Sequence, residues 1–343
     1  MASISSQSSA PDAAPALPRP SLIQQIIGRS EFGPFVLLVV EIVAFAALAP
    51  AFLSSGNISN LLDFTPELGM IALGMTMLMT SGEFDLSVGS VFGFAPVLMW
   101  TLFNTGSTPL EVGFVIAIAV ALLIGFVNGI FVTRLKIPSF LVTLGMLLIV
   151  RGTALYITDG FPQRTWRAEG ALRDILVGDI FIGDLRMRMS VVWFVFFVIL
   201  LAYILTQTKF GNWLQAAGGN ASSARARGVR VSRTKIMLFM LTAFMAAFAG
   251  IISSIRVSAA NPNSGTGYEL EVIAMVVIGG TALTGGRGTI IGTVLGVLIL
   301  RLMRNGIVMI GVPGLAYNIF IGAIILGMMA LHSWLERRHH AGT

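Results

Sequence analysis

KFGNWLQAAGGNASSARARGVRVSRTK, residues 209–235, lies between two long apolar runs and carries six Lys or Arg and no Asp or Glu. It is too polar to cross a bilayer, so it is a loop with a strongly positive face, and the runs flanking it read as spans. Leu214–Ala217 and Ala221–Arg227 can each form a short helix. Gly218, Gly219 and Asn220 tolerate left-handed backbone and are expected to break the two apart. A short helix lying along the membrane face is a handle for a soluble partner.

The rest of the chain agrees with that setting. Of 343 residues, 55% are hydrophobic and only 11% charged, the mean hydropathy is +0.87, and apolar runs of near-spanning length recur from Phe35 to Leu331. The fold class is therefore all-α, a polytopic membrane helical bundle. Lipid supplies no hydrophobic drive between helices, so small residues that let backbones approach are expected at their contacts. The 38 glycines include the spacings Gly89/Gly93, Gly125/Gly129 and Gly288/Gly292/Gly296. The net charge of +6 is spread over membrane-flanking loops and reads as topology, not as a nucleic-acid surface. The chain has no cysteine and three scattered histidines, which leaves neither disulfides nor a metal-ligand spacing. The first 20 residues, rich in Ser, Ala and Pro, read as a disordered tail without the pattern of a signal peptide.

The positive-inside rule gives about ten crossings with both termini cytoplasmic. Phe35–Phe52 is the first span, preceded by Arg19 and Arg29. Leu68–Met79, entered through Pro66, is short for a span. Gly82–Ser90 (GEFDLSVGS) leads into a third run ending at Phe103, and Val112–Val132 is followed by Arg134 and Lys136. Pro138 opens a run to Ile157. Asp159–Ser190 holds five Arg and five Asp or Glu and is placed outside by contrast with the basic loop. After Ile236–Ile255, the polar Ser258–Tyr268 is also placed outside. Glu269–Gly280 is a second short run, Ile290–Leu302 follows, Asn305–Gly314 reads as a turn, and Leu315–Leu331 is the last span before Arg337 and Arg338. Arg301 and Arg304 fall outside on this count, against the rule. The two short segments, around 68–82 and 269–284, end in small pairs (Ser81-Gly82, Gly279-Gly280) and enter Gly-spaced helices, a pattern of weak internal duplication. Paired interrupted segments of this kind mark the translocation site in ion-coupled transporters.

Intramembrane carboxylates are costly and often functional, which brings forward Glu41, Glu83, Asp85, Glu269 and Glu271. Ser87 lies in the same polar turn as Asp85. Asp85 can cap the helix that follows or line a pathway. Positions two apart on a helix face different ways, so at most one member of each acidic pair should face a central pathway. Asn128, inside Gly125/Gly129, is either a pathway residue or an interhelical hydrogen bond. Arg225, Arg227, Arg230 and Arg233 read equally as orientation signals. No GxxxxGK[ST] exists, and Gly285-Gly286-Arg287-Gly288 lacks its lysine, so ATP is not hydrolysed here by a P-loop.

Gly82–Ser90, Lys136–Gly145 (KIPSFLVTLG), Ala217–Val231 (AGGNASSARARGVRV) and Gly265–Gly296 together resemble, in order, the permease subunits of bacterial ABC importers for ribose, galactose, xylose and related sugars. The resemblance implies a transmembrane permease domain over 31–335, between cytoplasmic tails at 1–30 and 336–343, in the inner membrane. It implies a dimeric pore of two permease chains in membrane lipid, a periplasmic substrate-binding protein, and a cytoplasmic ABC ATPase that carries ATP and Mg. No cofactor is expected in this chain. Gly218, Gly219, Asn220, Ala224, Arg225 and Gly228 match the loop expected to dock on the ATPase. Glu269 and Leu270 match the Tyr-Glu-Leu signature, and Gly279, Gly280, Gly285, Gly286 and Gly288 match its glycine pattern. Where the family has Gly-Gly-Ile-Asp-Leu-Ser, Glu83-Phe84 replaces Gly-Ile, a change that could alter substrate preference if the turn lines the pathway. A branched-chain amino-acid or nucleoside ABC permease would keep the same loop. An ion-coupled secondary transporter would instead use Glu83 or Glu271 as an ion site.

Overall fold

The computed structural model describes residues 31–164, 170–323 and 326–327. Both expected tails, with Arg19, Arg29, Arg337 and Arg338, lie outside the described residues. Backbone in lipid has no water to bond, so the apolar runs close their hydrogen bonds internally as helices. In chain order these are α1 (Phe32–Leu48), α2 (Ser55–Thr80), α3 (Val88–Asn104), α4 (Leu110–Thr133), α5 (Ser139–Thr158), α6 (Ala171–Val177), α7 (Met189–Gln207), α8 (Lys209–Gly219), α9 (Ala221–Ala226), α10 (Val231–Val257), α11 (Tyr268–Ile278) and α12 (Ile290–Met309), with residues 317–323 also helical. Among the described residues α2, α4, α5, α7, α10 and α12 are long and apolar enough to cross a membrane, and α1 and α3 are apolar but only 17 residues each. Among the described residues the expected ten crossings are thus not confirmed as ten full-length helices, and the last expected span, Leu315–Leu331, lies partly outside them.

Helix α2 departs furthest from expectation. The apolar run begins at Leu68, yet the helix begins a dozen residues earlier and contains Pro66. Its polar first half is bonded inside the protein. Asp63 accepts from Arg186 at 3.0 Å and lies 3.2 Å from Arg188 Nε, Glu67 pairs with Arg256 at 2.6 Å, and Asn57 and Asn305 exchange amide hydrogen bonds. Hydropathy sees these residues as polar, whereas the fold sees them as paired. Asn305 accordingly belongs to α12 and not to a turn. Arg301 is buried and its Nη2 donates to the Phe64 carbonyl at 3.0 Å, while Arg304 lies 4.9 Å from the Tyr317 ring centroid. Arg301 is thus bonded inside the bundle, whereas Arg304 is exposed and packs on an aromatic ring.

The chain is not wholly helical. The expected outer excursion contains a hairpin, β2 (Asp179–Ile182) with β3 (Leu185–Arg188), and β1 (Gln163–Arg164) pairs antiparallel with β4 (Ala259–Ala260). Arg186 and Arg188 on β3 are the partners of Asp63, so the hairpin is fastened to α2.

Each glycine spacing serves close packing. Gly125 and Gly129 on α4 bring the backbone of α10 near, with a Cβ at either position meeting Met240 Cα or Ile236 Cα at 2.7 Å. Gly292 and Gly296 admit the carbonyls of Gly279 and Met275, which joins α12 to α11. Gly89 and Gly93 admit a loop instead of a helix. The stretch after Ser258, expected as an external loop, folds back on α3, and Arg151 Nη1 donates to the carbonyls of Pro262 (2.6 Å) and Ser264 (2.8 Å). Helix α2 is at the centre, packed against α7, α10, α11 and α12.

Gly250 on α10 takes the Phe92 carbonyl, and an added Cβ would collide with that oxygen and approach its carbon to 2.8 Å. Gly250→Leu is expected to destabilise the chain by about 1–3 kcal/mol in thermal unfolding in mild detergent, while Gly145→Leu, with nothing within 4 Å of its Cβ position, leaves the transition unchanged.

Candidate functional site

The basic loop folds as two short helices, as its sequence implies, but the break falls later than expected. Helix α8 starts at Thr208, whose hydroxyl accepts from Gly211 N at 3.2 Å, and runs through Gly218 and Gly219. Asn220 then caps α9, accepting from Ser223 N at 2.9 Å. None of these three residues adopts the left-handed conformation. That role belongs to Gly228 (φ 84°), which ends α9 with Gly228 N bonded to the Arg225 carbonyl and Val229 N to that of Ala224. Ala217, Ala224 and Val231 are buried on one another, so the loop has a small core of its own.

This unit rests on two turns that share one design. Helix α2 ends with Gly82 N bonded to the Met79 carbonyl and Glu83 N to Leu78, and α11 ends with Gly280 N bonded to Val277 and Thr281 N to Val276. Gly82 (φ 83°) and Gly280 (φ 89°) supply the left-handed residue that this Schellman closure needs. The chain beyond Gly280 returns to α2, where Gly286 N donates to the Thr80 carbonyl at 2.8 Å. Gly218 closes the junction. A Cβ there would collide with the Thr80 carbonyl oxygen and lie 2.6 Å from Gly286 N. Gly285, in turn, lies so close that its Cβ would meet Gly82 Cα at 2.7 Å and Gly218 O at 3.1 Å. Three segments distant in sequence therefore meet backbone to backbone.

The other expected site residues fall into separate groups. Asp85, Ser87 and Asn128 form one buried network. Asp85 Oδ1 accepts from Ser87 N (2.8 Å) and Oγ (2.6 Å), and Asn128 Nδ2 donates to Ser87 Oγ at 3.1 Å. Asp85 thus organises the entry to α3, and Asn128 ties α4 to the turn before that helix. Glu83 turns away from them to Lys235 on α10, 2.6 Å distant. It is not on a helix, so helical spacing does not apply to Glu83 and Asp85. Glu269 and Glu271, in the first turn of α11, do diverge. Glu269 packs over Gly89 with Oε2 buried and without a hydrogen bond, and Glu271 accepts from the Tyr317 hydroxyl at 2.8 Å. Glu41 lies on α1 with both carboxylate oxygens buried and unbonded.

Sequence reasoning did not single out Glu67, Arg151, Arg256 or Tyr317, nor Lys235 as more than one charge of a basic loop. Their partners lie more than 40 residues away, and no local pattern announces such pairs. Among the described residues no group of three His, Cys, Asp or Glu is placed to hold a metal ion.

Gly218 and Gly219 offer a test within one helix. Gly218→Ala is expected to abolish transport and lower thermal stability by about 1–3 kcal/mol. Gly219→Ala, whose nearest neighbour is Gly286 Cα at 4.0 Å, should retain both, as measured by uptake in cells and unfolding in detergent.

Comparison with known proteins agrees with this architecture. The model of the family described as the branched-chain amino acid transport system / permease component matches residues 57–329. The chain is 36% identical over 301 residues to the ribose import permease protein RbsC of Escherichia coli K12, covering 86% of this chain and 91% of that protein. It is 34% identical to the ribose import permease protein of Bacillus subtilis (86% and 90% covered) and 33% identical to the xylose/arabinose import permease protein XylH of Sulfolobus acidocaldarius (92% and 88%). Such a family implies an ATPase and a substrate-binding protein as partners. The chain belongs to this family of ABC importer permeases, and it is an inner-membrane transport subunit and not itself an enzyme.

Proposed function

We propose that this chain builds the pore of an ATP-driven importer and passes a monosaccharide or a related polyol inward by alternating access. The relatives named for ribose and for xylose/arabinose support the sugar class. The observation that carries the mechanism is the junction at Gly218. In this reading the cytoplasmic ATPase, which holds ATP and Mg, grips the loop through the face that includes Asn220, Ala224, Arg225 and Gly228. Closure of the ATPases shifts α8 and α9 as a body. Because Gly218 touches the end of α2 and the turn after α11 without any side chain between, both helices follow. Two permease chains enclose the pathway, a periplasmic binding protein delivers the substrate, and both termini face the cytoplasm.

The two carboxylates expected to serve an ion-driven carrier, Glu83 and Glu271, do not favour it. Glu83 is neutralised by Lys235 and Glu271 is bonded to Tyr317, which leaves neither free as an ion site. The description of the family supports a second substrate class, branched-chain amino acids. In uptake by cells expressing the full importer, excess ribose or xylose is expected to compete and excess leucine is not. The reverse outcome selects the amino-acid reading.

Arg225→Glu puts a negative charge on the proposed ATPase contact. We expect it to abolish uptake and recovery of the ATPase on purification of the tagged chain, with normal accumulation in the membrane. Normal uptake by this variant overturns the assignment of the loop.

A further inference from the structure

A cleft of about 520 Å³ lies between the end of α4, helix α9 and the start of α10, lined by Glu83, Thr133, Lys136, Arg225, Ser232 and Lys235. Its charges do not cancel. Glu83 is taken by Lys235 at 2.6 Å, and no carboxylate among the described residues forms an ion pair with Lys136 or Arg225. The Ser232 hydroxyl adds a neutral donor, whereas that of Thr133 already donates to the Gly129 carbonyl at 2.7 Å. Helix α10 opens on this cleft with no side chain capping its first N–H groups, so its positive end adds to the same field. The cleft is suited to an anion.

The rest of its wall is apolar, Val132 and Val231, and Val132 belongs to the last turn of α4. On α4 Leu123, Phe126 and Phe131 are exposed, as is Leu135 just beyond its end, and together they form an apolar flank. An inorganic ion has no use for such a flank, and an acidic side chain would cover little of it. An amphiphile with an anionic head and long chains matches both parts. We propose that this cleft binds the phosphate of an anionic phospholipid, with the acyl chains lying along α4. Such a lipid would sit against Lys136 and Lys235, beside the face that carries Arg225 to the ATPase, without entering the Gly218 junction.

The test uses the full transporter in nanodiscs of phosphatidylcholine titrated with phosphatidylglycerol, with lipid retention read by native mass spectrometry. At about 1 kcal/mol per basic residue near the surface, Lys136→Gln should weaken phosphatidylglycerol retention about five-fold and Lys136→Glu about twenty-five-fold. Lys136→Arg should retain it. Equal retention by all four proteins overturns the site. Inorganic phosphate that displaces the lipid at millimolar concentration would make it a free-anion site. Loss of the ATPase from Lys136→Glu with lipid retention unchanged would assign the cleft to an acidic protein partner. Both of these outcomes overturn the proposal. The measurement reads lipid alone, so it stands or falls separately from the transport reading.

Discussion

The contact on which the rest depends is the one that Gly218 makes with the Thr80 carbonyl and Gly286 N. In water, helices are pressed together by burial of apolar surface. In lipid that drive is missing, and close backbone approach with its dispersion contacts has to replace it. At this junction the replacement is complete, since the closest groups of all three segments are main-chain atoms and glycine carbons. A side chain could rotate and absorb a displacement. Backbone fixed by its own hydrogen bonds cannot, and the two Schellman closures leave the ends of α2 and α11 little freedom to yield. A rigid contact is what a device for passing on movement requires.

Helix α2 links this junction to the opposite end of the protein. Its C-terminal end meets Gly218, Gly285 and Gly286, and its N-terminal half holds Asp63 and Glu67 against Arg186, Arg188 and Arg256. Buried ion pairs add little net stability, because desolvation cancels most of the attraction, but losing one partner leaves a charge stranded at a cost of about 3–5 kcal/mol. Such pairs therefore fix position more than they strengthen the fold. The outer hairpin and the end of α10 are held to one end of the helix and the basic loop to the other. The two ends are joined by 26 residues of largely buried helix.

Local chemistry was legible in the sequence, and long-range pairing was not. The two helices of the basic loop, the Asp85 turn into α3 and the shortness of α11 depend on neighbours within a few residues, and the Gly125/Gly129 spacing announces a close helix contact without naming α10 as the partner. The length of α2 depends on partners more than 100 residues away, so a hydropathy reading places its start at Leu68 when polar residues from Asn57 onward are already helical and paired. The same limit explains Arg301, whose charge seemed misplaced until the Phe64 carbonyl supplied its partner. Gly218 and Gly219 misled in another way. Their freedom of backbone suggested a break, whereas α8 uses their lack of a side chain and keeps helical geometry. The dispersal of the carboxylates has the same cause, since spacing along the chain says which face a residue takes but not what it meets there.

Glu83 shows how a departure from a family pattern can be absorbed locally. As the extra acid in the turn, it suggested an altered pathway. The structure places its carboxylate on Lys235, largely screened from solvent, with Asp85 directed elsewhere. A charge neutralised in this way presents little to a passing substrate. It does connect the turn after α2 to the first residues of α10, immediately beyond the basic loop. The turn is thus held to the loop twice, by the glycine contact on one side and by an ion pair on the other. The two act differently: the glycine contact resists compression and the ion pair resists separation.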